Sequence, residues 1–233
     1  MKLCASELAP AIVRVFQTSL ISGTVPSDWK EALITPLFKK GERNVASNYR
    51  PVSLTSVVSK ILMRHLDHHN ILTDCQHGFR SRRSCESQLI STIQGIAEKL
   101  KSVKDQIDVI YLDFAKAFDK VPHKRLLHKL WHYGVRGKTL QWITPFLSSR
   151  TQHVLVEGCE SAKLDVLSGG PQGTLLGPLL FLVYINDLPE IVSTSTLRLF
   201  ADDSLLYRQV RNQTDSNDFQ KDLSALEEWE DKW

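Results

Sequence analysis

Apolar residues recur along this chain with two periods, and the period separates helix from strand. Leu8, Ile12, Val13, Phe16 and Leu20 share one helical face behind Ser6, a helix-capping residue type, and Gly23 is placed to end that helix. Residues 32–38 read as a short strand and 39–44 as a polar turn. Residues 51–55 lead into a second helix with Val57, Val58, Ile61, Leu62 and Leu66 on one face, and Ser84 is placed to cap a third, marked by Leu89, Ile93, Ile96 and Leu100. A strand over 107–112 ends at Asp113. Helices at about 123–133 and 137–148 follow, the first closed by Gly134. Residues 151–156 and 162–167 alternate around Gly158 as a hairpin. A Gly/Pro loop, 168–173, opens a buried helix, a second hairpin spans 197–207, and a polar helix runs from about 215 to the end. Helices packed on a small antiparallel sheet make an α+β domain. The pattern Leu223-Ser224-Ala225-Leu226-Glu227-Glu228-Trp229 is still helical when the chain stops, so a fragment or truncated gene product is expected.

The 233 residues leave room for one large domain or two small ones. The longest apolar run, 175–185, carries Gly177 and Pro178 and falls short of the ~20 residues a membrane helix needs. The N-terminus lacks the pattern of a secretory signal. Four scattered cysteines form no Cys-x-x-Cys pair, which points to reduced thiols inside a cell rather than zinc or disulfides. The net charge of +3 is uneven: residues 1–104 hold 15 Lys+Arg against 8 Asp+Glu, and residues 105–233 hold 14 against 18. A basic first half and an acidic second half suit a polyanion held beside a cation site, although two ordinary solvated surfaces would give the same balance.

The chemistry concentrates at Phe200-Ala201-Asp202-Asp203, two adjacent acids between two apolar runs. Adjacent carboxylates at a hairpin tip repel unless a cation takes them up. With Asp113 at the end of a neighbouring strand, three acids can hold a pair of divalent metals for in-line phosphoryl transfer. Alone, Asp-Asp would read as a solvated turn.

Other blocks change that reading. Asn48-Tyr49-Arg50-Pro51-Val52-Ser53-Leu54, Gln76-His77-Gly78-Phe79-Arg80, Leu112-Asp113-Phe114-Ala115-Lys116-Ala117-Phe118-Asp119, and Gly170-Pro171-Gln172-Gly173 through Tyr184-Ile185-Asn186-Asp187-Leu188-Pro189 precede Phe200-Ala201-Asp202-Asp203. Five blocks in this order resemble the reverse transcriptase domain of non-LTR, LINE-type retrotransposons. The resemblance covers nearly the whole chain, most firmly from Asn48 to Trp229. It implies a right-hand polymerase fold, with the N-terminal extension and fingers in 1–104 and the palm, with some fingers segments, in 105–233. It also implies an antiparallel palm sheet packed on helices, and a chain that stops before the thumb.

The same resemblance assigns residues. Asp113, Asp202 and Asp203 are the catalytic acids and metal ligands, and Phe114 offers its backbone carbonyl to a metal. Two Mg²⁺ ions are expected, with Mn²⁺ the alternative. Arg80 and Lys60 reach the incoming triphosphate, Gln172 and Gly173 contact the nascent base pair, and Arg82 and Arg83 meet template backbone. Phe118 underlies the incoming sugar and excludes a 2′-hydroxyl by clash. An ordinary core Phe, and for Lys60 a solvated helix residue, are the plainer alternatives. His65, His68 and His69, and His123, His128 and His132, read as polar-face histidines, and Trp131 and Trp142 as core. Partners would be an RNA template, a DNA primer and deoxynucleoside triphosphates. The location would be intracellular, with the nucleus expected by analogy to the family, and no membrane involved. In the family's pattern Gly170 replaces an apolar residue, which should loosen its loop, and Arg82 stands where glycine is frequent. The competing readings are a catalytically incompetent relic that only binds nucleic acid, and an intron-encoded maturase.

Overall fold

The computed structural model describes residues 5–38, 41–42, 49–52, 65–170 and 176–233. They form seven helices and eight strands: α1 Ala5–Ser22, β1 Glu31–Phe38, β2 Tyr49–Val52, α2 Cys85–Ala97, β3 Gln106–Asp113, α3 Ala117–Lys120, α4 His123–His132, α5 Gly137–Leu147, β4 Arg150–Val156, β5 Cys159–Glu160, β6 Leu164–Val166, α6 Leu176–Tyr184, β7 Thr196–Phe200, β8 Asp203–Val210 and α7 Gln213–Lys232. Short 3₁₀ turns lie at Ser27–Trp29 and Leu188–Ile191. No described helix is long and apolar enough to cross a membrane.

The fold divides into two compact units, each drawn from two separated stretches: Met1–Leu66 with Phe118–Leu180, and Asp67–Ala117 with Phe181–Trp233. Residue 104 falls inside the second unit.

The first unit is built on a mixed five-stranded sheet ordered β2-β1-β4-β5, with β6 also on β4. β1 pairs parallel with β4, Glu31 opposite Thr151, and every other pairing in the sheet is antiparallel. Its core is aromatic. Trp142 stacks on Phe146 at 5.0 Å, meets Trp29 edge-on, and donates its indole N–H to Ser19 Oγ at 2.9 Å. Arg150 is buried, donating to the Trp29 carbonyl at 3.0 Å, with its guanidinium 4.9 Å from the Phe146 ring. Burial pushes its pKa down to about 10, still far above neutrality. Trp142 thus fills the core as expected, but Trp131 does not. It is half exposed, with the Arg136 guanidinium 4.5 Å over its ring.

The second unit is a three-stranded antiparallel sheet ordered β3-β8-β7. The face carrying Leu197, Leu199 and Leu206 is buried, and Phe219, Leu226 and Trp229 of α7 are buried too. Asp222 pins α7 to the chain before β7. Its buried carboxylate accepts from the backbone N–H groups of Ser193, Thr194 and Ser195 and from the hydroxyls of Ser193 and Thr194, at 2.6 to 3.1 Å. Burial alone would push its pKa up. The hydrogen bonds from Thr194, Ser193 and Ser195 outweigh it and hold the carboxyl far below the usual range.

Most elements lie where the pattern put them, with four differences. α1 begins at Ala5, so Ser6 lies inside the helix rather than capping it. β2 is a strand where only a lead-in to a helix was read. α7 starts at Gln213 behind Asn212, whose side chain accepts from Asp215 N. α2 has the expected Ser84 cap, completed as a capping box by Ser87. Its apolar positions Leu89, Ile90 and Ile93 are nevertheless more than half exposed. The helix expected after Thr55 falls mostly outside the described residues.

Asp222→Ala should lower the unfolding free energy by about 3 kcal/mol, because five donors lose one acceptor. Chemical denaturation measures it. The folded-state pKa is depressed, so this stabilisation is full above the unfolded value near pH ~4 and drains away as pH falls below it. Asp222→Asn should flatten that acid limb.

Candidate active site

The β3–β8 ladder decides where the acids go. Its register runs from Gln106 opposite Val210 to Asp113 opposite Asp203, without a bulge. On the other side of β8, Phe200 pairs with Asp203, leaving Ala201 and Asp202 as the connection between β7 and β8. Residues directly opposite in an antiparallel pair lie with their Cβ atoms about 5 Å apart on one face, and like charges there repel. Asp113 and Asp203 are both exposed, and Asp202 is half-buried beside them. Among the described residues no three His, Cys, Asp or Glu side chains converge into a ready metal cage. The donor set is three hard carboxylates, two of them cross-strand partners, and it fits an oxygen-seeking divalent cation that would draw them together.

Phe114 follows Asp113. Its carbonyl accepts from Ala117 N at 3.2 Å, and its ring lies 6.4 Å from Trp229. Phe118 belongs to the first unit and the three acids to the second. Lys60, Gln172 and Gly173 lie outside the described residues.

The three arginines share one loop with different surroundings. Arg80 Nη1 donates to the carbonyls of Leu72 at 3.1 Å and Thr73 at 2.7 Å. The Ile71 carbonyl accepts from Asn186 Nδ2, and Asn186 Oδ1 accepts from Thr73 N, both at 2.8 Å. Two of the sequence blocks therefore meet on residues 71–73. Arg83 pairs with Asp74, reaching both its carboxylate and its carbonyl. Arg82 is exposed at φ +62°, in the left-handed region, which gives a physical reason for glycine being frequent there in the family's pattern. Burial, then the charges of Arg83, Arg198 and Arg80, lower the His77 pKa, so this imidazole is neutral at pH 7. It sits 2.9 Å from Ser87 Oγ in a positive local field.

Three features were not read from the sequence. The first is Gln76. Its buried side-chain oxygen accepts from Gly78 N at 2.7 Å and Ala201 N at 2.8 Å, while Nε2 donates to the Ala201 carbonyl at 3.2 Å. The second is Gly78, where a Cβ would stand 2.3 Å from Ala201 N. The third is the anchoring of the loop at Ser168–Gly170. Gly169 N donates to Val121 O, Gly170 N to Phe118 O and Ser168 Oγ to Asp119 O, at 2.8 to 2.9 Å, and His123 Nε2 lies 2.9 Å from Gly169 O. Gly169, at φ +87°, would place a Cβ 2.7 Å from Asp119 O. Close backbone packing holds Ser168–Gly170 against residues 118–121, while the rest of the loop lies outside the described residues. His123, read as a polar-face residue, is part of that anchor. The only signal for any of these was the glycine of each block, since hydrogen bonds across such sequence distances leave no local period.

A family model described as reverse transcriptase (RNA-dependent DNA polymerase) matches residues 38–233. The chain is 28% identical, over its full length, to the RNA-directed DNA polymerase from mobile element jockey of Drosophila melanogaster, covering 27% of that protein. It is 29% identical over 95% of its length to the probable RNA-directed DNA polymerase from transposon X-element of the same fly, covering 26% of it. Against the Pol polyprotein from the type-1 retrotransposable element R2 of Popillia japonica it is 30% identical over 74% of its length. The chain thus spans about a quarter of the length of the curated relatives it matches. Its fold is similar to telomerase from Candida tropicalis, with a TM-score of 0.60 at 12% identity over 86% of this chain and 47% of that one. That likeness bears out the right-hand polymerase fold. With the fly relatives it agrees with the resemblance drawn from the five blocks, and the chain belongs to the reverse transcriptase family, among those of non-LTR retrotransposons.

Proposed function

We propose that this chain is the RNA-directed DNA polymerase domain of a non-LTR retrotransposon element, joining deoxynucleotides to a DNA primer along an RNA template. One observation carries the reading: Asp113 and Asp203 are direct cross-strand partners at the end of an unbroken ladder, with Asp202 in the adjoining turn. Asp113 and Asp202 are the principal metal ligands in this reading, with Asp203 and the Phe114 carbonyl beside them. Two Mg²⁺ ions, when bound, would supply the positive charge that activates the primer hydroxyl and neutralises the triphosphate. The arginines of the 80–83 loop, with Arg198 near His77, give the polyanion a complementary surface. Arg80 and Lys60 are assigned to the triphosphate, Arg82 and Arg83 to template backbone, and Gln172 and Gly173 to the nascent pair. Phe118 is assigned to the sugar. The fingers would lie in 1–104 and the palm in 105–233, and the place of action would be the nucleus.

Primer extension on an RNA template with Mg²⁺ tests this. Asp202→Ala should lower incorporation more than about 1000-fold, because loss of metal-borne charge costs several kcal/mol. Template affinity should stay within about twofold, since no phosphate contact is removed. Incorporation equal to wild type would sink the assignment. Salt-dependent RNA binding without product by the wild type would favour the binding-only relic instead.

Phe118→Val should raise ribonucleotide incorporation relative to deoxyribonucleotide by about tenfold or more, as a steric barrier worth roughly 1.4 kcal/mol per decade is removed. Competition between the two nucleotide types in the same extension assay reads it. An unchanged ratio would return Phe118 to an ordinary packing role.

A further inference from the structure

Gln76 has no assigned part in the chemistry above, yet it touches the turn that carries Asp202 and leads directly into Asp203. Backbone bonds set it there. His77 N donates to Leu199 O at 2.9 Å and Leu199 N to Cys75 O at 3.0 Å, so residues 75–77 run parallel along the outer edge of β7. This directs the Gln76 side chain at the next peptide groups along β7, those of Ala201. Ala201 takes φ +55°, a left-handed conformation that costs a residue with a Cβ about 1 kcal/mol and persists only where its surroundings hold it.

The Gln76 amide is what holds it. One side chain satisfies both the N–H and the C=O of Ala201, and the same oxygen accepts from Gly78 N. No other side chain of similar shape combines two acceptances with a donation. Glutamate could only accept, would orphan the Ala201 carbonyl, and would bury a charge beside two acids; methionine fills the space and makes none of the bonds. Gly78 lets the segment approach so closely, since a Cβ there would collide with Ala201 N. The peptide planes on either side of Ala201 are therefore set by Gln76, and the next two residues are Asp202 and Asp203.

We infer that Gln76 is a positioning residue for the metal site: by fixing the Ala201 peptide groups it sets the direction in which Asp202 and Asp203 present their carboxylates to a divalent cation. This rests on the metal-dependent polymerase reading, and the test separates the two.

Mn²⁺ is titrated calorimetrically into the purified chain as wild type, Gln76→Met and Asp202→Ala. Melting temperature, and kcat and KM for deoxynucleotide at saturating metal, are measured alongside. Residues that orient metal ligands typically alter affinity or activity 10- to 100-fold, so Q76M should weaken Mn²⁺ binding and lower kcat by at least about tenfold. KM for deoxynucleotide should stay within about twofold, and Asp202→Ala should abolish the site. A lower melting temperature with metal affinity and kcat within about twofold of wild type is what plain turn support would give, and it overturns the proposal. A wild type that binds Mn²⁺ through Asp202, loses affinity in Q76M, but incorporates nothing leaves positioning intact and sinks the polymerase reading. A wild type with no Mn²⁺ site dependent on Asp202 overturns both. If Q76M does not fold, hydrogen exchange at the Ala201 amide of the wild type decides. Protection of about 100-fold or more, increasing with Mg²⁺, supports the clamp, and exchange at the rate of an open turn overturns it.

Discussion

The register of β3 on β8 is the constraint on which the rest depends. Side chains alternate faces along a strand, so a slip of β3 by one residue on β8 would carry Asp113 to the opposite face from Asp203 and turn outward the β3 face of Ile110 and Leu112, both less exposed than Val109 and Tyr111. Burial of that apolar face therefore fixes the position of the acids. The pairing sets two carboxylates directly opposite each other, whose mutual repulsion would otherwise argue against it, on a face that also carries Val109, Tyr111 and the buried Tyr207. Asp222 adds to the same end, holding α7 across the chain that enters β7.

Strands and helices with a clear local period were legible: β3, the hairpin of β7 and β8, α4, α5, and the strands around Gly158 all follow alternation or helical spacing between glycines. The acids were legible because a strand end and a tight turn can be read one segment at a time. What could not be read depends on distant partners. β2 exists because β1 offers it an edge. The exposure of Leu89, Ile90 and Ile93 shows that an amphipathic period fixes a helix but not what covers it. The anchoring of residues 168–170 on 118–121, and of residues 71–73 by Asn186 and Arg80, comes from side chains and backbone groups far apart in the chain.

Several residues of the sequence blocks have structural partners of their own. Asn186 is bonded to residues 71–73, Arg80 to the carbonyls of Leu72 and Thr73, and Gly78 packs on the Ala201 backbone. A motif read as a row of ligand contacts contains, in this fold, the fastenings that set one segment of the chain against another. Residues proposed to bind substrate and residues that hold their neighbours alternate along the same short blocks.

The interleaving of the two compact units has a consequence for the order of events on the ribosome. β1 must wait for β4 and β3 for β8, each partner emerging long after the strand it completes. Through much of synthesis both sheets have unfilled edges, and the apolar residues destined for them stay in contact with solvent or with whatever shields a nascent chain. Neither compact unit can be completed by an N-terminal half of the chain alone, since each takes strands from both.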